Sequence, residues 1–182
     1  MFNPSSTDTG LGLGLGGKVP AALVGAWVLR NAGDRAPACA IFADGRFHNA
    51  SQADPYSVSK NGRVLDWNTV NFNRQTGEVM GLNGLWMEDG TTDYLWFFHQ
   101  GRGYELDGLG YAQQFNIVES KASSPAMLQV WPLRAMISAD ETTINFTPIY
   151  ATQTAKLGYA IDGAVLTMTM ADGSTLVYDK AG

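Results

Sequence analysis

The sequence predicts an all-β fold: a single antiparallel up-and-down barrel of about eight strands, lipocalin-like in outline, after an irregular N-terminal segment. Three observations predict it. Asx-Gly pairs punctuate the chain at Asp44-Gly45, Asn61-Gly62, Asn83-Gly84, Asp89-Gly90, Asp107-Gly108, Asp162-Gly163 and Asp172-Gly173. Between apolar runs such pairs are the strongest short-range hairpin signal, because both residues tolerate positive φ. Twenty-one glycines and 11% aromatic residues suit sheets joined by tight turns. No segment sustains a helical apolar period. Many strands in 182 residues must close or stack, since open edges invite aggregation. A barrel is the simplest closure and a sandwich the alternative. The barrel is assigned to residues 22–182 and the segment before it to 1–21.

Within that segment, "TGLGLGLGGKVP" (Thr9 to Pro20) matches two phosphate-binding patterns. Gly12, Gly14 and Gly17 fit G-x-G-x-x-G, and Gly12, Gly17 and Lys18 fit most of a phosphate loop. Both patterns need a buried strand in front and a helix behind. Here "NPSSTD" precedes, Val19-Pro20 follows, and Val19 stands where a magnesium-binding Ser or Thr is required. Nucleotide binding is not expected. Leu11, Leu13 and Leu15 alternate with glycine, so an extended chain would present all three on one side. The segment reads as a mobile tail or as a lid over an apolar opening.

A short turn at Pro20–Val24 is the best helical candidate, and Ala26–Arg30 the first strand. "ACAIF-ADG-RFHN" is a hairpin. Further strands are expected at Val64–Phe72, Val79–Met87, Asp93–Phe98, Tyr111–Glu119, Met127–Leu133, Thr143–Thr147 and Lys156–Ile161. "VLTMTM-ADG-STLVYD" is the clearest hairpin, with Leu166, Met168 and Met170 on one face and Val165, Thr167 and Thr169 on the other. "YLWFF" and "MLQVWPL" are apolar on both faces. Something should therefore cover their outer side: the N-terminal tail, a packed helix, or a second subunit in a homodimer. Pro132 belongs at an edge, a bulge or a strand end.

Net charge is −5, with no basic run, which argues against a nucleic-acid or anionic-membrane partner. The single cysteine, Cys39, excludes an internal disulfide and a cysteine-cluster metal site. No stretch is long and apolar enough to span a membrane, and no basic region precedes an apolar one at the N-terminus. A cytoplasmic protein is expected.

The first strand reads "LVGAWVL", with Gly25-x-Trp27, and further on comes Thr92-Asp93-Tyr94 with Phe97 three residues after the tyrosine. In type and order these motifs resemble the signatures of lipocalins and related calycin barrels, over residues 22–180. The resemblance implies an eight-stranded barrel enclosing one small ligand, its base closed by the tryptophan. It also implies an arginine packed over that tryptophan, for which Arg102 and Arg134 are the candidates. The lack of disulfides departs from secreted lipocalins and suits bacterial lipocalin-like domains better.

Neither His48 nor His99 has partners at metal-ligand spacing, so no metal or other cofactor is implied. His48 follows a turn and reads as solvated; His99 reads as a rim residue or an acid–base group at the barrel mouth. There is no Gly-x-Ser-x-Gly elbow. Most acidic pairs lie at turns. Glu105 begins a strand after an aromatic run, and a carboxyl inside a greasy barrel could act as an acid. Alternation groups Tyr94, Trp96 and Phe98 on one face, Tyr111, Gln113 and Phe115 on another, and Met127, Gln129 and Trp131 on a third. Glutamine among aromatics is a typical orienting group in a hydrophobic pocket.

Two functions fit. The first is a barrel that binds a hydrophobic or aromatic small molecule. The second is a cofactor-free cyclase or isomerase, with Glu105, Gln113 and Tyr104 as catalytic candidates acting on a polyketide-like or polyunsaturated substrate. Similarity to calycin barrels, which include allene oxide cyclases, admits the second.

Overall fold

A computed structural model describes residues 18–30, 38–77, 80–109, 112–149, 151 and 153–181. The Leu-Gly segment and Tyr111 lie outside them. The described chain is all antiparallel sheet. Its strands are β1 (Gly25–Leu29), β2 (Ala38–Ile41), β3 (Arg46–Asn49), β4 (Ala53–Val58), β5 (Val64–Trp67), β6 (Val70–Thr76), β7 (Gly84–Glu88), β8 (Leu95–His99), β9 (Arg102–Leu106), β10 (Ala112–Ser120), β11 (Met127–Ala139), β12 (Thr143–Pro148), β13 (Ala155–Asp162), β14 (Val165–Thr169) and β15 (Thr175–Lys180). Among the described residues no helix is long and apolar enough to cross a membrane. Pro20–Val24 is a turn, closed by Leu23 and Val24 amides on the Pro20 and Ala21 carbonyls.

The strands fall into two compact units. The first draws on both ends of the chain, Met1–Ala50 and Leu133–Gly182, rather than on one continuous run. Its pairing runs β1–β2–β3–β11–β12–β13–β14–β15 and back to β1. This is the closed eight-stranded antiparallel barrel that the sequence predicts. Its core holds Leu23, Trp27, Cys39, Ile41, Ala135, Ile137, Ile144, Leu166 and Met168. Leu166 and Met168 do share the buried face of their hairpin. The second unit, Ser51–Pro132, also closes on itself: β4–β5–β6–β7–β8–β9–β10–β11 and back to β4. Strand β11 supplies Met127–Pro132 to the second ring and Leu133–Ala139 to the first. Pro132 sits where one set of partners ends, and a register shift follows at Leu133/Ala135. That is a place where a missing N–H is tolerated.

The sequence predicts one strand over Val64–Phe72, but the chain turns back after Trp67. Asn68 and Thr69 take φ of 50° and 67°, a two-residue reversal that pairs β5 with β6. A β-branched residue in that conformation is rare, so the sequence announces no turn there.

Each unit carries the same five-residue pattern. Leu23-Val24-Gly25-Ala26-Trp27 opens β1, and Leu82-Asn83-Gly84-Leu85-Trp86 opens β7. In both, the tryptophan is fully buried and its indole N–H donates to the carbonyl of the leucine four residues back, at 2.9 Å for Trp27 and 2.8 Å for Trp86. A cation from the neighbouring strand lies over each ring. It is Lys180 at 5.3 Å from Trp27 and Arg74 at 4.0 Å from Trp86. Neither arginine expected over Trp27, Arg102 or Arg134, takes that place. The glycines are required. Gly25 and Gly84 have φ of +148° and +133°, and a Cβ on either would meet the overlying cation's side chain at 2.8 Å. Arg74 is further held by the Gly62, Gly81 and Asn83 carbonyls.

Cys39 is a core residue of the first unit, as its apolar run implies. Burial pushes its thiol up from 9.0 to about 12. The folded state thus holds this proton more tightly than the unfolded chain. The resulting stabilisation is complete below the unfolded value and fades as pH rises from 9.0 toward about 12. Native protein is expected to resist iodoacetamide at neutral pH and to lose stability through the alkaline range. Cys39→Ala, weaker at neutral pH, should show a shallower alkaline loss in urea melts.

Candidate functional site

The second unit gathers most of the aromatic residues that the sequence singles out. Ladder partners directly opposite one another share a face of the sheet. The register sets Trp86 against Trp96, Trp96 against Glu105, and Glu105 against Gln113. One step along, Phe98 stands against Gly103, and Gly103 against Phe115. Phe98 and Phe115 belong to the buried cluster with Leu65, Trp67, Phe72, Trp86, Leu128 and Val130. Trp96 is half-buried against it. Trp67, Phe98 and Phe115 surround the Trp96 ring, with centroids 4.8, 6.1 and 5.1 Å away. Glu105 and Gln113 are therefore on the interior face, in line with Trp96, and both are half-buried.

Other candidates are placed elsewhere. Tyr104 alternates with Glu105, so it faces outward, opposite Phe97. Tyr94 precedes β8 and is 42% exposed. The face of Met127, Gln129 and Trp131 is turned away from the second unit's cluster, because Leu128 and Val130 fill it. Trp131 is buried, and its indole N–H donates to Gln129 Oε1 at 3.1 Å. Gln129 in turn donates to the Ser51 carbonyl at 3.0 Å. Its amide is thus committed to the protein. His48 is fully buried beside Phe42, not solvated as its position after a turn suggests. His99 is exposed and stacks on Phe97.

Residues outside the sequence candidates complete the site, chief among them Trp67, Tyr56, Val58, Glu119 and Lys121. Trp67 is only 8% exposed, and its indole Nε1 is buried with no hydrogen-bond partner among the described residues. A buried donor left unpaired costs roughly 1–3 kcal/mol, and indole N–H groups usually find partners. Directly across the ladder from Trp67 is Tyr56. Tyr56 and Val58 pack against the aromatic cluster and also line a hollow of about 400 Å³. Ser57, Gly81, Glu119, Lys121, Pro125 and Ala126 form the rest of its wall. The Tyr56 hydroxyl donates to Glu119 Oε1 at 2.7 Å, and Lys121 Nζ lies 3.5 Å from the same oxygen. Burial first, and the Glu119 bond second, push the Tyr56 phenol above its ordinary value. It is a neutral donor at physiological pH.

The hollow thus has an apolar floor continuous with the aromatic cluster and a polar rim of one carboxylate and one ammonium. Its volume suits a small organic molecule. Among the described residues no group of three His, Cys, Asp or Glu side chains could hold a metal ion. Only the aromatic part was visible in the sequence. Tyr56 sits in "SQADPYSVSK", whose proline and polar residues hide a strand. Compared with known proteins, the chain matches no protein-family profile, and no curated protein or solved structure matches it.

Proposed function

We propose that the second unit binds a flat, apolar or aromatic small molecule that carries a hydrogen-bond acceptor, as a lipocalin-like barrel would. The observation that carries this reading is the buried Trp67 N–H, without a partner among the described residues, on the residue directly across the ladder from Tyr56, which lines the hollow. A ligand oxygen supplies the acceptor that the protein withholds. Tyr56 and Val58 pack in turn against the buried cluster that holds Phe98 and Phe115, and burial drives binding at roughly 25 cal/mol per Å² of apolar surface. The Tyr56–Glu119 pair sits at the rim, where it favours a ligand with a polar end.

Calorimetry with two probes of like shape, 2-acetonaphthone and 2-ethylnaphthalene, tests it. The ketone is expected to bind roughly five- to tenfold more tightly, the worth of one hydrogen bond of about 1 kcal/mol. Trp67→Phe keeps a ring and removes the N–H. It should erase the preference while leaving the hydrocarbon's affinity nearly unchanged. Absence of binding by either probe refutes the site. A preference that survives the substitution refutes the role of Trp67.

A second reading, a cofactor-free cyclase or isomerase, is favoured by one observation: Glu105 and Gln113 lie side by side on the interior face in line with Trp96. A carboxyl group there could move a proton on a substrate folded against the rings. Tyr104 takes no part in it, since it faces outward.

A further inference from the structure

The outer face of the second unit is polar on one side and greasy on the other. Across β4, β5 and β6 one outward row is Ser57, Asp66 and Asn71, and in the next Val64 stands against Asn73. Across β7, β8 and β9 they are apolar. One row reads Met87, Leu95 and Leu106; the next reads Leu85, Phe97 and Tyr104. Phe97 and Leu106 are each 40% exposed, and none of the six is buried. Isolated exposed apolar side chains need no explanation, but two adjacent rows across three strands do.

The ends of this patch carry opposite charge. Asp89, Asp93 and Asp107 occupy the connections β7–β8 and β9–β10 at one end. At the other end His99 and Arg102 face each other across β8 and β9. A surface that is apolar in the middle, acidic at one end and basic at the other is complementary to itself when turned through half a revolution. That is the requirement for a two-fold contact, in which the same patch serves both partners.

We propose that this face docks a second copy of the chain. The strands of the two copies run antiparallel across the contact, with Phe97 and Leu106 at its centre. Arg102 of each copy lies near the acidic end of the other. Phe97 is the anchor expected to carry most of the energy, and the end charges set orientation more than strength.

Sedimentation equilibrium on the full chain tests this. A dimer is expected, loosened by added salt. Phe97→Ser and Leu106→Ser, both at exposed positions, should each weaken it roughly tenfold or more. Their circular dichroism should match the parent's. Leu176→Ser removes an apolar side chain of similar exposure from β15 and should leave the dimer intact. Arg102→Glu should weaken association, and adding Asp107→Arg should restore part of it. A monomer at every concentration overturns the proposal, as does a dimer indifferent to Phe97→Ser and Leu106→Ser. A monomer that dimerises only after removal of residues 1–17 overturns it too, because the patch would then be covered by the chain's own Leu-Gly segment.

Discussion

Gly103→Ala is expected to destabilise the second unit by more than about 3 kcal/mol. Gly103 lies in the interior row between Phe98 and Phe115, whose rings meet edge to face at 5.6 Å across it. A Cβ there would fall on the Phe97 carbonyl and 2.6 Å from Phe115 Cζ. The ring is 1% exposed and enclosed by Trp96 and Phe98, so it has nowhere to swing. The carbonyl is backbone and cannot yield without breaking the ladder. Phe115→Leu in the Gly103→Ala background should recover only the share due to the ring. Gly158→Ala is the control. There the nearest atom is Thr169 Cβ at 3.4 Å, an ordinary contact, and its effect should stay within about 0.5 kcal/mol. Urea titration followed by tryptophan fluorescence reads all of these. An unchanged midpoint for Gly103→Ala would mean that the two phenylalanines do not pack across β9 as described.

What the sequence made legible, and what it did not, follows the same physics. Turn chemistry located the hairpins at Asp44-Gly45, Asn61-Gly62, Asp89-Gly90, Asp107-Gly108, Asp162-Gly163 and Asp172-Gly173, because Asp and Asn before Gly announce positive φ. It failed at Asn68-Thr69, where threonine takes that conformation against its preference. Alternation groups Trp96 with Phe98, and Gln113 with Phe115, and the register puts both groups on the interior face. In β11 it was ambiguous. Met127, Gln129 and Trp131 looked as credible a core face as Leu128 and Val130, since both are apolar. The strand uses its even positions for the second unit's core and Ala135 and Ile137 for the first unit's. No local pattern encodes such a change. Two rings rather than one were also out of reach, because ring closure depends on pairings remote in sequence, such as β4 with β11. One clue was in plain view. Leu-x-Gly-x-Trp occurs twice, but the second copy overlaps an Asn-Gly turn signal and falls inside the strand expected at Val79–Met87, which hides it as a repeat. The Trp67 N–H leaves no trace in sequence. Its isolation results from an aromatic neighbourhood of Phe72, Trp96 and Phe98 that offers no acceptor.

The repeated motif supports the second large prediction. Trp27→Ala and Trp86→Ala should each cost about 3–5 kcal/mol, the usual penalty for emptying an aromatic site in a packed core. The loss has three sources in both cases: a buried ring, an indole bond to a leucine carbonyl that is left unpaired, and a cation deprived of its aromatic face. The Trp86 site should suffer more. Arg74 is held by three backbone carbonyls and cannot swing out to solvent, whereas Lys180 has a flexible stem. Every partner of Trp27 belongs to the first unit and every partner of Trp86 to the second. Hydrogen exchange read peptide by peptide should therefore separate them. Trp86→Ala should strip protection from β4 to β10 and spare β12 to β15, and Trp27→Ala should do the reverse. The discriminating peptide is Met127–Ala139. If its first part loses protection in one variant and its last part in the other, each barrel is held shut by its own tryptophan. Equal loss along its whole length in both variants would make β11 a single cooperative element, and the two closures would then be one.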